Sequence, residues 1–211
     1  VVTTGTGSGK TLCFLLPVMI SILREGMGSD GRKRWDGKQN TNGHAWWRDS
    51  KPTYNSSRVS QRTSAMRTLL VYPLNALVQD QIETIRSVVN SDKADSIFDE
   101  VFNGERISFG QYNAMTEGKG STKNSKDLES TARYLREIET ESKGADPSNR
   151  KYLQQTESGE MLLRWDMQAT PPDVLITNFT MLAIMLIRED DSNIFESTKR
   201  WLEEDESNTF F

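Results

Sequence analysis

An eight-residue stretch near the start of the sequence combines residue types that together can hold phosphate groups. It reads Thr4-Gly5-Thr6-Gly7-Ser8-Gly9-Lys10-Thr11. Glycines let backbone N–H groups turn towards an anion, and a helix behind them adds the positive end of its dipole. Lys10 can reach the β and γ phosphates, and Thr11 offers a hydroxyl ligand for Mg²⁺. We therefore expect a nucleotide-binding loop here, although the generic pattern has Gly or Ala where Thr4 stands.

Apolar residues predict strands and helices that alternate along the chain. The expected strands are residues 68–72, 107–112 and 173–176, after a lead-in at Val1 and Val2. The expected helices are residues 12–23, 74–89, 179–187 and 194–202, the last capped by Ser192. This alternation predicts right-handed β-α-β units, and therefore an α/β fold with a mostly parallel sheet flanked by helices.

Two long polar segments interrupt this pattern. The first polar segment is residues 26–66, and the second polar segment is residues 113–160. Connections of this length are unusual in compact domains. Leu128, Leu135 and Ile138 recur at helical spacing in the second polar segment, which predicts an amphipathic helix there.

The first polar segment is basic and aromatic. It carries eight cationic residues against three aspartates, although the whole chain has a net charge of -4. The cations are Arg32, Lys33, Arg34, Lys38, Arg48, Lys51, Arg58 and Arg62, and the aromatic residues among them are Trp35, Trp46, Trp47 and Tyr54. We expect a surface insertion whose tryptophans pack locally. The alternative is a platform on which the bases of a single strand stack.

Composition excludes several classes of protein. The single cysteine excludes a disulfide framework and a cysteine-based zinc site, and it favours a reducing compartment such as the cytoplasm. His44 is the only histidine, so a histidine-based zinc site or triad is excluded within this chain. No apolar run reaches the length of a membrane span, and we expect no membrane contact. We expect Cys13 and Trp201 to be core residues.

Three segments together resemble the conserved motifs of one enzyme family. Residues 4–11 look like motif I of superfamily 2 helicases, in which Thr or Ala at the first position is usual. Residues 71–81 (VYPLNALVQDQ) are similar to motif Ia, and residues 171–178 (PPDVLITN) resemble the segment around motif Ib. The residues of these motifs are most similar to those of a group of large bacterial DEAD/DEAH-box helicases. Some members of that group belong to DNA-repair or phage-defence systems.

The resemblance implies a RecA-like helicase ATP-binding domain that uses ATP and Mg²⁺. Lys10 and Thr11 would then be catalytic residues, with Thr11 on the metal. The resemblance also implies contact with the backbone of a nucleic acid, DNA rather than RNA, and partner proteins of a repair or defence system are possible. The residues implied in strand contact are Pro73, Leu74, Asn75, Ala76, Thr177 and Asn178.

Several alternatives remain open from the sequence. The apolar positions of residues 71–81 would be core in any α/β protein, and Thr177-Asn178 could be a strand-end turn with an Asn cap. The chain could be another phosphate-loop enzyme, such as a small-molecule kinase or transport ATPase. It could also be a non-catalytic, nucleotide-dependent scaffold that binds nucleic acid.

The chain is expected to be a piece of a longer protein that stops before motif II. It starts at Val1 and closes on the strand-like Thr209-Phe210-Phe211. The resemblance implies an Asp-Glu pair that orients the attacking water. Asp99-Glu100 comes before the Thr177-Asn178 segment instead of after it, and Asp205-Glu206 has no strand before it. We therefore expect both pairs to be solvated surface. We therefore expect this chain alone to hydrolyse ATP poorly.

Overall fold

A computed structural model describes residues 10–28 (for Lys10, the backbone), 35, 45–56, 62–206 and 208–211. The lead-in at Val1 and Val2, the loop Thr4–Gly9, and His44 lie outside the described residues. The helices in the described part are α1 (Lys10–Met27), α2 (Asn75–Val89), α3 (Asp92–Phe102), α4 (Ser125–Gly144), α5 (Arg164–Ala169), α6 (Phe179–Met185) and α7 (Ser192–Glu204). None of these helices is long and apolar enough to cross a membrane.

Three parallel strands form the sheet of the described part. They are β1 (Thr68–Tyr72), β2 (Phe109–Tyr112) and β3 (Val174–Asn178), in the spatial order β1-β3-β2. Val174 pairs with both Thr68 and Phe109, so the strands start level with one another. The parallel sheet flanked by helices confirms the predicted α/β class.

Both outer edges of the sheet carry further backbone bonds. At the β1 edge, Phe211 N–H donates to Arg67 O and accepts through its carbonyl from Leu69 N–H, both at 2.9 Å. At the β2 edge, Glu160 forms a parallel bridge with Phe109. At the strand expected for residues 209–211, the structure therefore has the two backbone hydrogen bonds of Phe211 to the β1 edge and no assigned strand.

The sheet is covered on both faces. On one face α1, α2 and α3 pack against Val174 and Ile176 of β3, and Trp35 joins this core. On the other face α6 and α7 pack against Leu175 of the same strand, in a core rich in methionine. Alternate residues of β3 therefore point into two different cores, which explains why Val174, Leu175 and Ile176 form a continuous apolar run.

Burial on α1 and α7 tests the predictions for Cys13, Ser192 and Trp201. Only one stripe of α1 is buried against the sheet, and it consists of Leu15, Val18, Met19 and Ile22. The opposite side, which includes Cys13, is exposed. The expectation of a core cysteine at position 13 was therefore wrong. The N-cap of α7 is Asp191 and not Ser192. Trp201 is buried, as predicted.

A buried carboxylate lies at the amino-terminal end of β3. Asp173 is 1% exposed and forms a bidentate ion pair with Arg62, at 2.6 and 2.8 Å. Arg67 lies 3.3 Å from it, and Ser108 donates to it through both its N–H and its hydroxyl. Burial by itself opposes ionisation of Asp173, but Arg62 and Arg67 outweigh it and lower the pKa of the carboxyl. The cluster joins the starts of β1, β2 and β3.

Replacing Asp173 by Asn is expected to lower the free energy of unfolding by about 3–5 kcal/mol at pH 7, because two buried guanidinium groups lose their shared carboxylate. Since the folded pKa is lowered, this contribution is present above the unfolded pKa of about 3.9 and is lost as the pH falls below it. Urea unfolding of the wild type and variant at pH 7 and at lower pH measures both effects. Asp190→Asn, on an exposed carboxylate, should change stability by less than about 0.5 kcal/mol; equal losses in the two variants would contradict the assignment.

Candidate functional site

The described start of α1 has the chemistry of an anion site. The 18-residue helix begins at Lys10, and its first turn contains no acidic residue. Thr11, the second residue of the helix, is partly exposed. The first N–H groups of a helix have no partner within it, and the dipole favours an anion there. This donor set fits a phosphate group with its magnesium ion. Thr4, Gly5, Thr6, Gly7, Ser8 and Gly9 lie outside the described residues.

The carboxyl end of β1 opens into an exposed turn. Pro73 and Leu74 bend the chain after Tyr72, and α2 begins at Asn75 with no side-chain cap on Leu74. All four residues from Pro73 to Ala76 are exposed, and Leu74 is 63% exposed. This turn therefore presents the uncapped start of a 15-residue helix to solvent, as a phosphate-contacting segment requires.

The carboxyl end of β3 uses its polar side chains internally. Thr177 is fully buried, and its hydroxyl donates to Tyr112 O at 2.6 Å. Asn178 caps α6 by accepting from Met181 N–H at 2.7 Å. The amide of Asn178 also donates to Asn75 Oδ1 at 2.5 Å. The strand-end turn with an Asn cap, one of the two interpretations of the sequence, is thus present, and Asn178 also locks the start of α2 to the start of α6.

A buried polar cluster at the end of β2 could not be found in the sequence. Tyr112 donates its hydroxyl to Asp191, which is fully buried, and Gln168 donates to both at 2.8–2.9 Å. Burial and then Asp191 raise the pKa of the Tyr112 hydroxyl, so it stays protonated and remains a donor. These side chains come from segments far apart in the chain, and no motif links them.

The two polar segments share a core of their own. Trp46 and Trp47, in a 3₁₀ turn of the first polar segment, pack on α4 of the second. Tyr54 and Trp165 complete an aromatic cluster around Trp46, with ring centroids 5.5–6.4 Å apart. We call this the aromatic core, and its members from α4 are Leu128, Ala132, Leu135 and Ile138. The predicted amphipathic helix is confirmed.

Burial decides between the two interpretations of the tryptophans. Trp35, Trp46 and Trp47 are 1%, 1% and 4% exposed, so the interpretation as stacking platforms for bases was wrong at these three positions. Local packing is confirmed for Trp46 and Trp47, whereas Trp35 packs with α1, α2 and α3 against the sheet. Among the cations described there, Arg48 pairs with Glu139 and Glu157, and Arg62 pairs with Asp173. Arg32, Lys33, Arg34, Lys38 and Arg58 lie outside the described residues.

Ion pairs lie on two sides of the aromatic core. One joins the second polar segment to α2, and the others join the first polar segment to α4. Arg86 of α2 makes a buried bidentate pair with Glu160, at 2.6 and 2.8 Å. On α4, Glu139 accepts from Arg48, from Lys143 and from Trp47 Nε1. Hydrogen bonds from Arg48, the largest influence, lower the pKa of Glu139 to about 2.

The two Asp-Glu pairs lie away from the carboxyl edge of the sheet. Asp99 is on α3 and pairs with Arg106, which precedes β2. Asp205 follows α7, whose Trp201 packs under the guanidinium of Arg67 before β1. Asp99, Glu100 and Glu206 are exposed, and Asp205 is half-buried. Both pairs therefore lie towards the amino-terminal edge. The prediction of solvated surface is confirmed for Asp99, Glu100 and Glu206, but not for the half-buried Asp205.

A phosphate-loop sequence before α1, a parallel sheet and exposed turns at its carboxyl edge together define the class of nucleotide-binding α/β domains. Residues 1–114 match the DEAD/DEAH box helicase family. Since this match covers more than half of the chain, the chain belongs to the DEAD/DEAH box helicase family, and it is a helicase-type ATP-binding domain. This family does not include the kinase or transport alternatives.

One curated relative extends the comparison over the whole chain. The chain is similar to Druantia protein DruE of Escherichia coli (strain UMEA 4076-1), with 27% identity over 252 residues that include 99% of the chain. The chain spans only 12% of the length of that relative. No solved structure matches the chain significantly.

Replacing Asn178 by Ala is expected to lower the free energy of unfolding by about 1–2 kcal/mol, because α6 loses its cap acceptor. Asn75→Ala is the matched control, since it removes the partner of the Asn178 amide but leaves the cap. The control should cost less than about 0.5 kcal/mol because Asn75 is exposed. Urea unfolding of both variants measures the difference. A loss confined to Asn75→Ala would contradict the assigned roles.

Replacing Glu139 by Gln is expected to destabilise the protein at pH 7, with an effect that shrinks in acid. The lowered pKa of Glu139 means that its contribution is present above the unfolded value of about 4.3 and is lost as the pH falls towards 2. Thermal unfolding between pH 7 and pH 3 tests this. Glu137→Gln, an exposed neighbour on α4, should change little. A difference from wild type that is independent of pH would refute the role of Glu139.

Proposed function

We propose that this chain is the ATP-binding domain of an ATP-dependent nucleic-acid helicase or translocase. The observation that carries the proposal is the Asn178–Asn75 hydrogen bond at the carboxyl edge of the sheet. It joins two strand-end segments that lie about a hundred residues apart and that both resemble nucleic-acid-contacting motifs. Membership of the DEAD/DEAH box helicase family supports the same function.

Residues 4–11 would hold ATP and Mg²⁺. Bound ATP would supply the free energy of phosphoryl transfer. The amides of Thr4–Gly9 would donate to phosphate oxygens, Lys10 would neutralise their charge, and the hydroxyl of Thr11 would ligate the metal. The acid-free first turn of α1 supports this assignment, because it adds no repulsion to a phosphate.

Strand contact would be made by the exposed turn Pro73–Ala76. Its N–H groups can bind phosphates without reading sequence, which suits an enzyme that moves along any strand. Thr177 and Asn178 would act mainly by fixing this turn, since their side chains already bond to Tyr112, Met181 and Asn75. DNA as the strand, a cytoplasmic location, and partner proteins of a repair or defence system are further parts of this proposal.

We also propose that this chain alone hydrolyses ATP poorly. The resemblance implies that an acidic pair must orient the attacking water. Asp99-Glu100 and Asp205-Glu206 lie towards the opposite edge from the turn Pro73–Ala76. Lys10 and Thr11 would then bind nucleotide without completing the reaction.

Replacing Lys10 by Ala in the intact protein should reduce nucleic-acid-stimulated ATP hydrolysis by about 100-fold or more, because a cation on the reacting phosphates is lost. The measurement is the steady-state ATPase rate with and without single-stranded DNA. Lys93→Ala, at an exposed lysine of α3, is the control and should behave as wild type. Equal rates in wild type and Lys10→Ala would contradict the assignment of residues 4–11 as the ATP site. A wild type that binds nucleic acid but hydrolyses no ATP would favour the scaffold alternative.

A further inference from the structure

A loop of the second polar segment carries three lysines beyond the carboxyl end of β2. We call residues 117–126 the lysine loop, and its lysines are Lys119, Lys123 and Lys126. After β2 ends at Tyr112, Glu117 forms a parallel bridge with Leu163, in the direction in which β2 runs. The lysine loop therefore starts past the same edge of the sheet at which Pro73–Ala76 and Asn178 lie.

The charges of these lysines are uncompensated. All three side chains are exposed, and none forms an ion pair with any residue that the structure describes. Most other cations nearby do have a carboxylate partner. Arg48 and Lys143 pair with Glu139, Arg86 with Glu160, and Arg136 with Glu129. The lysine loop therefore carries three exposed cations, without an ion pair to any described residue, next to the proposed strand site.

The backbone of the lysine loop is held in place. Trp165 of the aromatic core donates its Nε1–H to Gly120 O at 2.9 Å, and Arg164 N–H donates to Glu117 O at 2.9 Å. Gly118 has φ +77, and a Cβ there would lie 3.3 Å from the Trp165 ring. A Cβ on Gly120 would collide with the carboxylate of Asp127. The left-handed backbone at Gly118 therefore favours glycine, and contacts of Glu117 and Gly120 with α5 fix where Lys119 lies.

The start of α4 adds to the positive potential of this loop. Lys126 lies in the first turn of α4, where the helix dipole is positive and a cation is unfavourable. Asp127 is the one acid of that turn, and it already accepts from Ser121 N–H at 2.9 Å. The arrangement is costly for the free protein, and an anion on this surface would relieve that cost.

We propose that the lysine loop is an additional contact for the sugar-phosphate backbone of a single-stranded nucleic acid. The inference rests on the proposed function and extends its site. The strand order β1-β3-β2 places the α2 start, Asn178 and the lysine loop in sequence along one edge. A strand bound at Pro73–Ala76 that continued across β3 and β2 would reach the lysines. The aromatic core would then serve to hold this contact rigidly.

The test is a triple substitution of Lys119, Lys123 and Lys126 by Gln in the intact protein. Binding to a fluorescent 20-nucleotide single-stranded DNA is measured by anisotropy between 50 and 300 mM NaCl. Each lost phosphate contact lowers the slope of log Kd against log salt by about 0.7, so the slope should fall by about 2 and Kd should rise by about 10- to 100-fold. The matched control replaces three exposed lysines outside the loop, Lys51, Lys93 and Lys199, by Gln.

The outcomes separate this proposal from the function on which it rests. A fall in slope for the loop variant, with the control close to wild type, supports the lysine loop as a strand contact. Equal slopes and affinities in wild type and loop variant overturn it, including the case in which the loop binds an acidic protein instead. Equal losses in loop variant and control also overturn it, because net charge then suffices. If wild type itself binds no strand, the proposed function fails first.

Discussion

Parallel pairing with β3 in the centre is the constraint on which the rest of this structure depends. Parallel strands end at the same edge, so segments at residues 73–76, 113–117 and 178 come together although they are far apart in the chain. The same pairing buries β3 on both faces and places Asp173 under its start. Arg62 and Arg67 neutralise that carboxylate. The cluster at the amino edge and the candidate site at the carboxyl edge are two consequences of one arrangement.

The second constraint is the contact between the two polar segments. Each alone is too polar to bury much surface, but together they enclose Trp46, Trp47 and the apolar stripe of α4. The Arg86–Glu160 pair then fixes this core to α2, the helix whose start is exposed at the candidate site. Removing one member of such a buried pair is costly, so α2 and the second polar segment are held together. The polar segments are therefore part of the architecture around the site.

The sequence predicts what depends on local pattern. Continuous apolar runs located β1 and β3, the segment 107–112 located β2, and helical spacing located α4 within a charged background. Phosphate-loop and strand-end motifs gave the family, which residues 1–114 confirm. The cap on Asn178 was one of the local alternatives, and it is present.

The sequence does not predict burial or side-chain contacts that depend on residues far away in the chain. Cys13 lies in an apolar run, but its burial depends on which side of α1 meets the sheet. Trp46 and Trp47 lie among cations, so a base-stacking platform remained an alternative to the expected local packing, and only the contact with α4 decides between them. The pairing of Tyr112 with Asp191 spans 79 residues and leaves no pattern in the chain. Each of these three points depends on a tertiary neighbour.

Hydrogen–deuterium exchange of the intact protein, with and without single-stranded DNA, shows whether one edge of the sheet, from the start of α2 to the lysine loop, binds the strand. We expect DNA to slow exchange in peptides covering residues 73–78, 178–182 and 117–126. We expect no change around Asp173 and Arg106 at the opposite edge. Protection confined to that opposite edge, or absent from all three segments, would show that the strand does not bind at the carboxyl edge.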